Sequence, residues 1–251
     1  MLSDAGDEFA EEQTLGRNVG ASFMANLQKT IGRTGRPTRF ETGATAAVAK
    51  RMFDIVGSIA LILFMLPLML LIAAVLYTRV GPNVIYAHKR IGKDGSSFGC
   101  LKFRTMYLDA DKRLEEILRT DPAARAEWEA TRKMKGDKRI LPGIGSFLRK
   151  SSLDELPQLF NVLAGQMSLV GPRPVVADEL HTFYGEVADL YCTVRPGMTG
   201  PWQVGERSDD DYPSRVAKDA NYIRNWSFQG DIMILLRTLA LVTKVRGNGA
   251  Y

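Results

Sequence analysis

The sequence is short of the two side chains most used to staple small folds or cage metals. It has 2 cysteines and 2 histidines in 251 residues. Cys100 and Cys192 lie far apart with no CxxC spacing, and His88 and His181 are too few for an imidazole cluster. A disulfide framework and a histidine-held metal centre are therefore excluded, and a reducing, cytosol-facing compartment is the simplest setting. The opening residues lack the basic stretch of a secretory leader, because Asp4, Asp7, Glu8, Glu11 and Glu12 make them acidic. No nucleic-acid reading motif is recognisable and the basic residues are dispersed. The net charge of +5 accordingly points to phosphate esters or anionic lipid, with no nucleic acid expected. The longest absence is of charge itself: no charged side chain occurs from Ile55 to Tyr77.

That uncharged run is long enough to be a membrane segment. As a straight helix it measures about 35 Å at roughly 1.5 Å per residue, against a hydrocarbon core of about 30 Å. Two features argue against a crossing. Pro67 sits at its centre, where it removes a backbone hydrogen bond and bends a helix. Both flanks are basic, with Arg33, Arg36, Arg39, Lys50 and Arg51 before the run and Arg79, Lys89, Arg90 and Lys93 after it. The positive-inside rule puts both flanks, and both termini, in the cytoplasm, so a re-entrant hairpin broken at Pro67 is expected over 47–80. Residues 1–46 are polar without an apolar period and are expected to form a mobile extension. With 45% hydrophobic content, residues 81–251 can build one cytoplasmic domain continuous with the hairpin.

Beyond the run, Val84 to Ala87 and Phe98 to Phe103 read as short strands around a Gly-rich turn from Lys93 to Ser97. Lys102 and Arg104 alternate with Leu101 and Phe103, so they share one face of an extended segment. That face suits phosphate, but spacing alone favours a solvated edge strand. Leu108 to Arg119 and Pro122 to Lys135 read as two charged helices. The last periodic segment, Asp231 to Val245, reads as an amphipathic helix on a membrane surface, or one packed on the hairpin or on a second copy of the chain.

The densest chemistry lies in RKSSLDELPQLFNVLAGQMSLVGPRP, Arg149 to Pro174. Leu156, Leu159, Phe160 and Leu163 recur at helical spacing and Gly165 follows as a stop. Asp154 and Glu155 are therefore expected at a helix mouth, either in an S-x-x-E capping box from Ser152 or just before Pro157 as first helical residue. Neighbouring residues on a helix point about 100° apart, so the acids cannot face each other as in a glycosidase. A carboxylate at that dipole end is expected to stay ionised, as a nucleophile or metal ligand. Arg149 and Arg173 supply donors for phosphate oxygens. The plainer alternative, acids that only complement the dipole and pair with arginines, stays open on pattern alone.

KFRTM (Lys102 to Met106), the stretch from Arg149 to Pro174, VRPGMTGPWQV (Val194 to Val204) and a preceding apolar hairpin beginning KRMFD (Lys50 to Asp54) together resemble the bacterial sugar transferases. These are monotopic polyprenyl-phosphate glycosyl-1-phosphate transferases of the exopolysaccharide-initiating type. The resemblance runs from about Ala49 to Val245. It implies an α/β, predominantly helical fold with a proline-broken membrane hairpin at the cytoplasmic face of the bacterial inner membrane. Its implied reaction passes a sugar 1-phosphate from a UDP-sugar, galactose or glucose by family habit, to undecaprenyl phosphate and releases UMP. Asp154 matches the nucleophile that forms an aspartyl-phosphosugar intermediate, with Glu155 as its partner in the dyad and Mg2+ near Asp154. Lys102, Arg104, Arg149 and Arg173 match cations assigned to substrate phosphates. Arg195 through Gln203 matches the nucleotide-sugar region, and Asp219 with Tyr222 a D-x-x-Y element. Two departures stand out: Gly205-Glu206 where relatives carry a neutral pair, and Leu66 where a serine usually precedes the hairpin proline. A membrane-anchored, non-catalytic scaffold of a polysaccharide assembly would need the hairpin and the cations but not the acid pair.

Overall fold

The computed structural model of the chain describes residues 44–131, 134, 136–205 and 212–244. The extension up to residue 43, Arg132, Lys133, Lys135 and Glu206 lie outside the described residues.

Helix α1, Ala44–Val80, is 37 residues long, about 55 Å at roughly 1.5 Å per residue. One stripe of it is covered, through Ser58, Ile62, Met65, Met69, Ile72, Leu76 and Val80, while Val56, Leu63, Phe64, Leu70 and Leu71 on the other side are exposed. The stripe steps by three and four residues without losing phase at Pro67. The expected break is therefore not seen as one: the chain is helical through Pro67. A proline removes one hydrogen bond, and Met65 and Met69 on either side of it pack on the same core cluster.

The KRMFD segment docks α1 on the rest of the chain. Lys50 Nζ donates to the Val170 carbonyl at 3.1 Å and pairs with Asp231 at 2.5 Å. Arg51 donates to the Val162 and Leu163 carbonyls at 2.7 and 2.9 Å, the free C-terminal end of helix α5, Gln158–Leu163. Asp54 Oδ1 accepts from Ser168 Oγ and the Leu169 amide, both at 3.0 Å, on strand β3, Ser168–Val170. Lys50 and Arg51, which sequence reading counts among the membrane flank, are thus internal tethers.

Two small sheets complete the frame. Strands β1, Ile85–Ile91, and β2, Ser97–Phe103, pair antiparallel from Ile85↔Phe103 to Ile91↔Ser97. Asp94 and Gly95 take left-handed backbone in their turn. Strand β3 pairs in parallel with β4, Gly197–Thr199, through Ser168↔Gly197 and Val170↔Thr199. A Cβ at Gly197 would lie 2.1 Å from the Gly171 nitrogen, so only glycine permits this approach. The crossing lays GPRP beside RPGMTGPW.

The remaining helices are α2, Ala110–Thr120; α3, Pro122–Thr131; α4, Ile144–Ser151; α6, Ala177–Glu179; α7, Ala188–Cys192; α8, Tyr212–Arg224; and α9, Phe228–Lys244. The expected mostly helical α/β class is observed. One core cluster joins α1 to Phe103, Leu141 and Leu148, a second joins β2, α5 and β3 to Ile234 of α9, and a third surrounds Tyr184 and Tyr191. Helix α9 buries Ile234 and leaves Met233, Leu236, Leu239 and Val242 exposed.

Candidate active site

Helix α4 is closed by Ser152, whose left-handed backbone (φ 57°) turns the chain sharply into a 3-10 turn, Leu153–Glu155. This geometry rules out the capping box: Ser152 makes no side-chain cap, and α5 begins only at Gln158 after Pro157. Both acids therefore precede the helix by a turn. Glu155 reaches sideways to Lys102 Nζ at 2.6 Å.

Asp154 is only 8% exposed. Burial pushes its carboxyl up to about 6; Lys102 and then Arg149 pull it down, and Glu155 pushes it further up. The shift runs opposite to what a helix dipole alone would give, although the carboxyl still ionises below neutral pH. A short helix starting four residues later cannot offset the loss of water around the carboxylate.

Buried Asn161 holds this turn against β2. Its Oδ1 accepts from the Leu101 amide at 2.9 Å and its Nδ2 donates to the Gly99 carbonyl at 2.8 Å. The amide side chain completes the strand edge as a third strand would, one residue from Lys102. Asn161 is not among the residues that motif or spacing singles out. The available signal was a polar residue between Leu159 and Val162 on the covered side of the helix.

Three of the four predicted phosphate cations approach the acids. Lys102 touches Glu155, Arg149 sits exposed at the end of α4 with its charge acting on Asp154, and Arg173 is half-buried within the field of Glu155. Arg104 does not join them. Strand β2 ends at Phe103, so the alternation stops one residue short, and Arg104 Nε donates to the Asn83 carbonyl at 2.7 Å with its guanidinium 5.3 Å from the Tyr86 ring centre.

The other predicted residues spread around this centre. Arg195 Nε donates to the Gly165 carbonyl at 2.6 Å, tying the loop after α5. Gln203 is half-buried with Oε1 against Gly200. Asp219 is fully buried and accepts from Tyr184 OH at 2.8 Å; burial lifts its carboxyl to about 6, against the pull of Tyr184, Arg215 and Arg173. Its sequence companion Tyr222 points elsewhere, donating to the Val170 carbonyl and to Asp231. Trp202 and Arg215, not singled out from sequence, lie next to Arg173: its guanidinium is 5.3 Å and that of Arg215 4.3 Å from the Trp202 ring centre.

The description bacterial sugar transferase belongs to the family model that matches residues 45–245, nearly all of what is described above. The chain belongs to the bacterial sugar transferase family. A UDP-galactose-lipid carrier transferase of Erwinia amylovora is 52% identical over 202 residues, 80% of this chain and 41% of that protein. An undecaprenyl-phosphate galactose phosphotransferase of Salmonella typhimurium is 50% identical over 202 residues, again 80% and 41%. The exopolysaccharide production protein ExoY of Rhizobium meliloti is 50% identical over 212 residues, 83% of this chain and 92% of that protein. The chain therefore spans about two fifths of the length of the first two relatives and nearly all of the third. The matched interval takes in α1, the acid turn and both glycine-bearing loops, so the family's likeness extends over the whole candidate site.

Proposed function

We propose that the chain transfers a sugar 1-phosphate from a UDP-sugar to undecaprenyl phosphate and releases UMP, the first membrane step of exopolysaccharide assembly. The observation that carries this reading is Asp154: a buried carboxylate beside the Lys102–Glu155 pair and within the fields of Arg149 and Lys102. A desolvated carboxylate is a stronger nucleophile than a hydrated one, and the cations favour an approaching diphosphate.

In the first step an Asp154 carboxylate oxygen attacks the β-phosphorus of the UDP-sugar. The bond from that phosphorus to the bridging oxygen breaks, and UMP leaves with the electron pair. The phosphosugar is held as an acyl phosphate on Asp154. In the second step an oxygen of undecaprenyl phosphate attacks the same phosphorus, the aspartyl bond breaks, and Asp154 returns as a carboxylate with undecaprenyl-diphosphate sugar as product. Lys102 keeps Glu155 beside the reacting groups, while Arg149 and Arg173 balance phosphate charge.

Among the described residues no group of three or more His, Cys, Asp and Glu side chains is placed to cage a metal. Two neighbouring carboxylates fit Mg2+, which is usually held by one or two carboxylates together with substrate phosphates and water. Asp154, assisted by Glu155, would hold it, and bound Mg2+ would neutralise the diphosphate.

The same reading puts the chain on the cytoplasmic face of the inner membrane. Both ends of α1 pack on one domain, Asp54 on β3 and Val80 beside Leu141 and Leu148, while its opposite apolar side is exposed, which favours sinking that side into the leaflet from the cytoplasmic face. This placement suits a reaction between a soluble nucleotide sugar and a lipid phosphate. Galactose is the first choice of sugar, since the names of two half-identical relatives carry it. The test is to incubate membranes with undecaprenyl phosphate and a panel of UDP-sugars, following UMP and the lipid product. UMP release with UDP-galactose is expected; no UMP with any sugar would overturn the reading.

A further inference from the structure

Next to the acid turn, beside Arg173, lies a buried cation that the two transfer steps leave unused. Arg215, on the first turn of α8, is 9% exposed, and among the described residues its Nε and Nη2 have no hydrogen-bond partner. Its guanidinium lies 4.3 Å from the Trp202 ring centre and 4.9 Å from that of Tyr212. Arg173 lies over the same Trp202 ring at 5.3 Å. The indole Nε1 of Trp202 is buried and also lacks a partner among the described residues. A buried guanidinium with two idle N–H groups, beside a second one, is an unfavourable arrangement in isolation, because like charges repel where water cannot screen them. The nearest described acids relieve it only in part: Asp219 lies in the field of both arginines and Glu155 and Glu179 in that of Arg173. Asp219 is hydrogen-bonded by Tyr184 and Glu155 by Lys102, and none of them accepts from the idle N–H groups of Arg215. An anion rich in acceptor oxygens would.

We propose that Arg215, Trp202 and Arg173 form a second phosphoryl-binding subsite, one that takes a terminal or bridging phosphate of a substrate while the reacting phosphorus sits at Asp154. The proposal deepens the transferase reading and rests on it. Arg173 joins the two centres, since it feels both Glu155 on one side and Arg215 on the other. Arginine suits the role through its planar fork, which stacks on the indole and donates two parallel hydrogen bonds to a phosphate. The chemistry has two sources, the nucleotide phosphate that becomes UMP and the phosphate of the lipid acceptor.

The test uses the purified full chain in lipid nanodiscs. UMP binding is measured by calorimetry, and the KM for UDP-galactose and for undecaprenyl phosphate by UMP release, in Arg215→Gln, Arg215→Lys and Trp202→Phe. The expected result for Arg215→Gln is a loss of about 10-fold or more in UMP affinity and a matching rise in the KM for UDP-galactose, as for a charged hydrogen bond removed. Arg215→Lys restores part of it, because charge without the fork is retained. A rise confined to the KM for undecaprenyl phosphate would assign the subsite to the lipid. Should Arg215→Gln fail to fold, Trp202→Phe keeps a smaller aromatic face and removes the indole donor, so the same readouts apply to it. UMP affinity and both KM values within two-fold of the parent would overturn the subsite. An Asp154→Asn variant that still transferred sugar phosphate while Arg215→Gln lost UMP binding would sink the mechanism and leave the subsite standing.

Discussion

Asp154 sits where burial and charge oppose each other, and this has measurable consequences for rate and stability. The folded carboxyl titrates at about 6 against an ordinary 3.8, so the folded state holds the proton more tightly than the unfolded chain. Stability linked to Asp154 is complete below the unfolded value and is lost as pH rises through about 6. Asp154→Asn removes this dependence. Its melting midpoint should match the parent near pH 4 and exceed it above pH 7, by an amount equivalent to about 3 kcal/mol for a two-unit shift. The same variant should lose UMP release altogether. For the parent, kcat/KM should fall about tenfold per pH unit below about 6, as protonation removes the nucleophile. Lys102 is the largest influence holding the Asp154 carboxyl down, so Lys102→Met should move that acid limb to higher pH. An unmoved limb would show that another group titrates.

Among the elements, the short α5 matters less for any dipole than for the residues that pin it. Asn161 ties it to β2, and Arg51 closes its far end from α1. Asn161→Ala would leave the Leu101 amide and the Gly99 carbonyl without partners in a buried seam, a loss of about 2–4 kcal/mol in chemical denaturation. Because the seam sets Lys102 against Glu155, kcat should fall with it. Helix α1 depends similarly on Asp231, which is 1% exposed and receives Lys50, Tyr222 and Trp226. Lys50→Met should lower stability by about 3 kcal/mol, since it strips the cation from a buried carboxylate. An unchanged midpoint in detergent would mean that Tyr222 and Trp226 suffice.

At the scale of the whole molecule, the described residues leave two apolar faces uncovered, the outer side of α1 and that of α9 through Met233, Leu236 and Leu239. Phe53 of α1 meets Phe228 of α9 edge to face at 5.2 Å, so the faces adjoin. A surface this large and apolar belongs in lipid. The buried native thiols Cys100 and Cys192 give a quiet background for labelling. Cysteines introduced at Ala47 and Pro82 should react with an impermeant maleimide only from the cytoplasmic side; periplasmic labelling of the first alone would establish a crossing.

The sequence by itself determined what depends on order along the chain. The uncharged run became α1, the Gly-Pro and Pro-Gly motifs became the β3–β4 crossing, and the adjacency of Asp154 and Glu155 marked the site. It also brought out Arg149 and Arg173, which flank the acid pair within one stretch, whereas Lys102, remote in sequence, entered only through the family resemblance. Tertiary structure decided the rest. The Asp154 carboxyl rises because distant segments exclude water from it, which no local pattern records. Arg104 is held on the Asn83 carbonyl, a partner that alternation with Lys102 does not reveal. Pro67 stays within a helix, with Met65 and Met69 on either side of it packed on the same core cluster. Arg215 joins Arg173 and Trp202 because α8 folds back onto the β3–β4 loops, a contact between residues remote in sequence.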